Sequence, residues 1–210
     1  MRQFSTIILL VFAIFILTCP VQSAYKGGIS YSIPIEYKNL SESELKTKAD
    51  KYFYLAQQIK DGELNEDITN ALNIYSILQH VNPYNIEYSV RLGILYDKIN
   101  KDRYAKGNFS RAIGTDSSRY EPYFYFGEYY YKRGLYKHAL RYYKRALEKL
   151  QTPNYDLYCR LGDIYEKFGD TKQALKYLKQ AEEQSPNDEL SAKIKRVEAF
   201  DSVNKVYYKN

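Results

Sequence analysis

Tryptophan is absent from this chain, and histidine, cysteine and methionine nearly so, at two, two and one in 210 residues. That shortage removes most routes to chemistry. His80 and His138 stand far apart, and no His, Cys, Asp or Glu cluster has the spacing of a metal site. Cys19 falls in an apolar leader, so a processed chain keeps Cys159 alone and closes no internal disulfide. Cys159 has no histidine at a nucleophile's spacing and reads as a small thiol in a packed or half-exposed helix. The ten glycines fall at caps and helix crossings rather than in a phosphate-cradling loop. No enzyme activity, cofactor or metal is expected.

Long runs are scarce too. Net charge is +6, yet no stretch of five like charges occurs, and acids and bases alternate through almost the whole chain. That pattern suits a solvated mixed-charge surface. Nucleic acid is not expected as a partner, because the tyrosine-rich stretches at 123–131 and 142–143 lack the basic groove that base-stacking platforms use. One segment is uneven: Lys137, His138, Arg141, Lys144, Arg145 and Lys149 are spaced to cover one outer helix surface. It is either a solvated convex face or a contact for anionic lipid or polyanionic cell-surface polymer.

The apolar run at residues 7–18, with Arg2 before it and Ser23 after it, reads as an export signal over residues 1–23. It is shorter than the roughly 20 residues a bilayer span needs. Export to a periplasm, cell envelope or medium follows. An uncleaved anchor starting near Phe4, or a lipid on Cys19, are the alternatives. Residues 24–40 then alternate Ile29, Tyr31, Ile33, Ile35 and Tyr37, a period-two strand signal that Pro34 demotes to an edge or extended segment. No other strand is available to pair with it, so it lies along the helical surface or stays mobile.

What the chain has in quantity is tyrosine, 25 of them, inside a repeated pattern. Phe126-Gly127, Tyr130, Gly134, Ala139, Tyr143 and Ala146 are followed 35 residues later by Leu161-Gly162, Tyr165, Gly169, Ala174, Leu178 and Ala181. Leu92-Gly93, Tyr96, Ala105, Phe109 and Ala112 precede the first set by 34 residues. Such a period marks stacked supersecondary units sharing a continuous core. Upstream, Ser41 and Glu44 form a capping box ahead of Leu45, Ala49, Phe53 and Ala56, and Asn65 caps a helix carrying Ile68, Leu72, Tyr75 and Leu78. This first hairpin is degenerate, with Leu55-Ala56 standing where Leu-Gly is expected. After Pro186, Leu190, Ile194 and Val197 predict a last amphipathic helix.

The Leu-Gly-x-x-Tyr, Ala-x-x-x-aromatic and terminal proline arrangement resembles the tetratricopeptide repeat (TPR) family. The resemblance implies an all-α fold: an α-solenoid of about four TPR-like hairpins over 41–188, with repeats at 41–84, 86–119, 120–153 and 155–188. A capping helix and tail follow at 189–210. It implies also that the first helix of each hairpin, helix A, lines a concave groove. The groove positions are then Val90, Ile94 and Lys98, then Phe124, Glu128, Tyr131 and Lys132, then Cys159, Asp163 and Lys167. Val90, Ile94, Phe124 and Cys159 would form an apolar strip beside a lysine row. Family members that clamp carboxylate tails of heat-shock chaperones place Lys and Asn where this chain has Val90 and Ile94, which disfavours that ligand. The function expected is an exported, non-enzymatic scaffold that binds a protein or peptide segment. The alternative is a structural subunit packed permanently in an envelope complex, with peripheral contact to membrane or polymer.

Overall fold

The computed structural model describes residues 35–207, with side chains through Ser202. The leader, residues 24–34 and the last three residues lie outside that range. Among the described residues there are nine α-helices and no strand. They are α1 (Glu42–Gln57), α2 (Glu66–Val81), α3 (Ile86–Lys98), α4 (Asp102–Thr115), α5 (Glu121–Lys132), α6 (Tyr136–Lys149), α7 (Tyr155–Lys167), α8 (Thr171–Gln184) and α9 (Asp188–Tyr207). Consecutive pairs α1–α2, α3–α4, α5–α6 and α7–α8 are hairpins, and α9 closes the series. The chain divides into two compact units between Arg111 and Ala112, inside α4.

The helix starts follow local chemistry. Ser41 Oγ accepts from the Glu44 N–H at 3.3 Å while Glu44 Oε2 accepts from the Ser41 N–H at 2.8 Å, satisfying two donors that the first turn leaves bare. Asn65 accepts from the Ile68 N–H at 2.9 Å and Asn154 from the Leu157 N–H at 2.8 Å. Helix ends use the left-handed backbone. Gly134 and Gly169 follow α5 and α7 with φ of 68° and 75°, and Asn100 takes the same place after α3 with φ of 56°. Asn is the residue that best replaces Gly there, because its short polar side chain tolerates that region.

Residues 35–37 depart from the expected extended alternation. Ile35–Tyr37 is a 3-10 turn, with Tyr37 6% exposed in the core of the first unit beside Leu45, Ala49 and Tyr75. Burial of one large ring outweighs a period-two pattern that has no strand to pair with among the described residues. At the other end, Leu190, Ile194 and Val197 of α9 pack with Ala174, Leu178 and Ala181 of α8.

Hairpin geometry is set where helix A meets its own helix B. A methyl on Gly93 would lie 2.6 Å from the Phe109 ring, and one on Gly162 would lie 2.6 Å from Leu178 Cδ2. The Tyr143 ring is closer still to Gly127. Rings and leucine thus rest on bare backbone, and Ala105, Ala139 and Ala174 on the B helices are fully buried. Gly107 and Gly114 of α4, by contrast, have nothing within 4 Å of an added methyl. Opposite signs follow for one chemical change. Gly127→Ala should lower stability by about 1 to 3 kcal/mol through overpacking, and Gly107→Ala should raise it by about 0.4 to 1 kcal/mol. Urea melts of both variants check this.

Candidate functional site

The residues expected to line a groove lie on α3 in the first unit and on α5 and α7 in the second. In the second unit, α5, α7 and α9 are joined by polar side chains. The Tyr143 hydroxyl, reaching up from α6, donates to Glu128 of α5. Arg160 of α7 grips the same carboxylate, Nε to Oε1 at 2.7 Å and one terminal nitrogen to Oε2 at 3.1 Å. This fork is the strongest geometry available to an arginine and a carboxylate. The guanidinium lies 4.8 Å from the centre of the Tyr131 ring, and the Tyr131 hydroxyl donates to Asp163 at 3.2 Å. Lys193 of α9 donates to Asp163, and Arg196 reaches Glu166 at 2.8 Å.

Burial decides how much these bonds count. The Glu128 and Asp163 side chains are only 17% and 18% exposed, so their charges need partners. Burial works against the charged form of Arg160, but the bonds to Glu128 more than offset it and hold its pKa above the ordinary arginine value. Tyr143 is fully buried, and burial followed by the Glu128 charge pushes its hydroxyl pKa well up. The same two causes, with Asp163 as the charge, push Tyr131 up to about 12.

The first unit repeats the tyrosine-to-carboxylate bond and the arginine over a ring, but there the carboxylate pairs with Lys46, 2.7 Å from Asp50, and Arg91 pairs with Glu87 at 3.6 Å. The Tyr75 hydroxyl of α2 donates to Asp50 Oδ1 of α1 at 2.5 Å, and Arg91 of α3 lies 4.4 Å from the centre of the Phe53 ring. Burial of Asp50 raises its pKa, but bonds from Lys46 and Tyr75 and the Arg91 charge leave it below the usual aspartate value. Arg91 and Arg160 each stand two residues before the crossing glycine of their helix, Gly93 and Gly162. Asp50 follows Ala49 as Glu128 follows Gly127, and Phe53 and Tyr131 come four residues after that small residue. Ala49 is therefore the first hairpin's crossing residue, which corrects the placement at Leu55-Ala56. Helix α1 runs on past the crossing, and the loop to α2 is longer than in the other hairpins.

The predicted groove residues divide between roles. Val90 is 5% exposed, Ile94 packs against the first unit's core, and Lys98 is 7% exposed with Nζ 2.9 Å from Asp61. Val90 and Lys98 are therefore too buried to stand in an open strip or lysine row, whereas Ile94 stays half-buried. Phe124 is half-buried with its ring centre 5.9 Å from that of Tyr143, and Cys159 is half-buried. Glu128, Tyr131 and Asp163 belong to the polar ladder. Lys132 is exposed, as is Lys167, whose Nζ lies 4.9 Å from the Tyr136 ring centre. Burial raises the Cys159 pKa, the opposite of the shift that activates a thiolate. Among the described residues no group of His, Cys, Asp and Glu is placed to hold a metal ion, and no helix is long and apolar enough to cross a membrane.

Sequence reasoning passed over Arg91, Arg160, Lys193 and the two tyrosine hydroxyls. A signal for them was present. An acid follows the small crossing residue where the B-helix aromatic is Tyr, at Asp50 with Tyr75 and Glu128 with Tyr143, whereas Ile94 stands with Phe109, which has no hydroxyl.

Comparison with known proteins agrees with this architecture. Residues 155–188 match the tetratricopeptide repeat family model. No curated protein matches the chain. Among solved structures, PilF of Pseudomonas aeruginosa is similar with a TM-score of 0.61 at 14% identity, over 78% of this chain and 72% of that one. A thermophilic TPR protein of Thermus thermophilus gives 0.55 at 18% identity, over 74% and 84%. YrrB, a TPR protein described as having an unusual peptide-binding site, gives 0.51 at 20% identity, over 73% and 77%. These likenesses establish the fold class, all-α and of the TPR-like solenoid type.

Two expectations follow from the ladder. A double-mutant cycle on Glu128→Gln and Arg160→Met should return a coupling of about 1 to 3 kcal/mol, while the exposed Lys179–Glu198 pair, 2.7 Å apart, should return about 0 to 1 kcal/mol. The second concerns alkali. Tyr75, Tyr88, Tyr131 and Tyr143 all have pKa values raised in the folded state, so the neutral hydroxyl is favoured there. Their stabilisation is whole below about pH 10, the unfolded tyrosine value. It is lost as pH rises through the folded values, of which Tyr131 at about 12 is the lowest of the four. Thermal midpoints across pH 9 to 12, read beside tyrosinate absorbance, should therefore fall together with a late ionising fraction.

Proposed function

We propose that this chain is an exported, non-enzymatic scaffold that captures an apolar protein segment on the A-helix face of its second unit. The observation that carries the reading is that four charges of that face, Glu128, Arg160, Asp163 and Lys193, are bonded to one another, while Phe124, Tyr125 and Cys159 remain partly open among them. Recognition by those four charges would require breaking that ladder. Recognition by side-chain packing requires nothing to break, so the fitting partner is a segment with one or two apolar anchors rather than a charged tail.

The TPR-like fold supports an interaction role in general, and the peptide-binding site named for YrrB belongs to a protein of similar fold. Export rests on residues 1–23 alone, and with it the placement in a periplasm, cell envelope or medium. A photo-reactive phenylalanine analogue at Phe124 or Cys159, expressed in the native cell, tests the reading. It should crosslink one protein partner, whereas the analogue at the exposed Lys172 should not. Phe124→Ala should weaken binding of the identified segment by roughly tenfold, about 1.4 kcal/mol. Equal crosslinking from all three positions, or none, would sink the proposal. A partner that never exchanges with free segment in solution would favour the permanent structural subunit instead.

A further inference from the structure

The outer helix of the second unit's first hairpin handles charge differently from the A helices. Lys137, Arg141, Lys144, Arg145 and Lys149 of α6 are all exposed, and their spacing sets them in one stripe along the helix. At the helical rise the stripe runs about 18 Å. Among the described residues none of the five has an ion-pair partner, although Arg160, Lys193 and Arg196 in the same unit all do. Arg141 and Lys144 lie 5.2 and 5.8 Å from the ring centres of Tyr142 and Tyr165, contacts that steady a cation without neutralising it. Glu148 is the single acid on α6.

Leu135, the residue before α6, is 45% exposed, and Phe168, in the turn before α8, is 43% exposed. Each is a large apolar side chain at the A-to-B turn of its hairpin. The α8 helix adds exposed Lys172 and Lys176. Unpaired cations together with apolar plugs match the boundary between lipid headgroups and acyl chains. A soluble polyanion would have use for the cations but none for Leu135 and Phe168.

We propose that the outer face of α6 docks this protein on an anionic lipid bilayer, with Leu135 and Phe168 entering the headgroup boundary. The proposal is independent of the segment-capture reading, since it uses none of the A-helix residues. The test is co-sedimentation of the full chain with vesicles of phosphatidylcholine alone or mixed with phosphatidylglycerol. The apolar run at residues 7–18 can partition into both, so the quantity read is the excess binding to the anionic vesicles.

That excess should be at least about tenfold in low salt and should collapse near 0.5 M salt, where the Debye length falls to a few Å. Arg141→Glu with Arg145→Glu should remove most of it at an unchanged thermal midpoint. If that pair lowers the midpoint, the milder Lys137→Gln, Lys144→Gln, Lys149→Gln variant is read for the same loss. Leu135→Ser with Phe168→Ser should cut binding several-fold and leave its salt dependence in place. Equal binding to the two vesicle types, or full excess binding by a folded charge variant, would overturn the proposal. So would salt-sensitive retention on heparin or polyphosphate without any vesicle excess, which would identify a polymer as the ligand.

Discussion

The contact on which the rest depends is a side chain of helix B lying directly on the bare backbone of helix A. At Gly93, Gly127 and Gly162 no Cβ intervenes, so Phe109, Tyr143 and Leu178 bring the two helices to a fixed separation. Packing density in such a crossing leaves no slack. The other positions take their meaning from it. One residue past the crossing, Asp50 and Glu128 meet the ends of the Tyr75 and Tyr143 rings. Two residues before it, Arg91 and Arg160 reach back toward the preceding hairpin of the same unit.

Those two flanking positions decide whether a junction is polar or apolar. Where the ring ends in a hydroxyl, the residue after the crossing is a carboxylate; at Glu128 an arginine from the following helix A completes the set, and at Asp50 Lys46 of the same helix does. Each of the three would be costly alone in a half-buried place: an unpaired carboxylate, a buried hydroxyl without an acceptor, a guanidinium without a counter-charge. At Glu128 they satisfy one another, and the Tyr131 ring lies under the guanidinium. Hairpin four uses a variation, since Leu178 offers no hydroxyl and Asp163 instead takes Tyr131 and Lys193.

Most of the fold was legible because it is written in residues whose size is constrained. Gly, Ala and large apolar side chains recur at a fixed period that gives the hairpins and their order, while the spacing of Leu190, Ile194 and Val197 gives the capping helix. Within the first hairpin the counterpart of Leu-Gly was less legible, because Ala49 and Ala56 are both fully buried and it is the bond from Tyr75 to Asp50, with Arg91 over Phe53, that aligns Ala49 with the crossing glycines. The candidate site was less legible. Position in the repeat says where a side chain starts, but Lys98 turned to Asp61 and Ile94 to the first unit's core, outcomes that depend on what lies within reach. The Ile35 to Tyr37 segment failed for a similar reason: alternation describes a strand only if a second strand exists.

The triad at Glu128 also gives one junction an identity of its own. A solenoid built of identical parts can lose or gain a unit and close up again, since every joint is the same. Here the joint that carries Glu128 with Tyr143 is matched to a successor with arginine two residues ahead of its glycine, as at Arg160. The hairpin of α5 and α6 has Tyr125 in that place, so a second copy of it could not follow the first without leaving the carboxylate short of a guanidinium. Duplication of this one period, harmless in a uniform array, would here strand a half-buried charge.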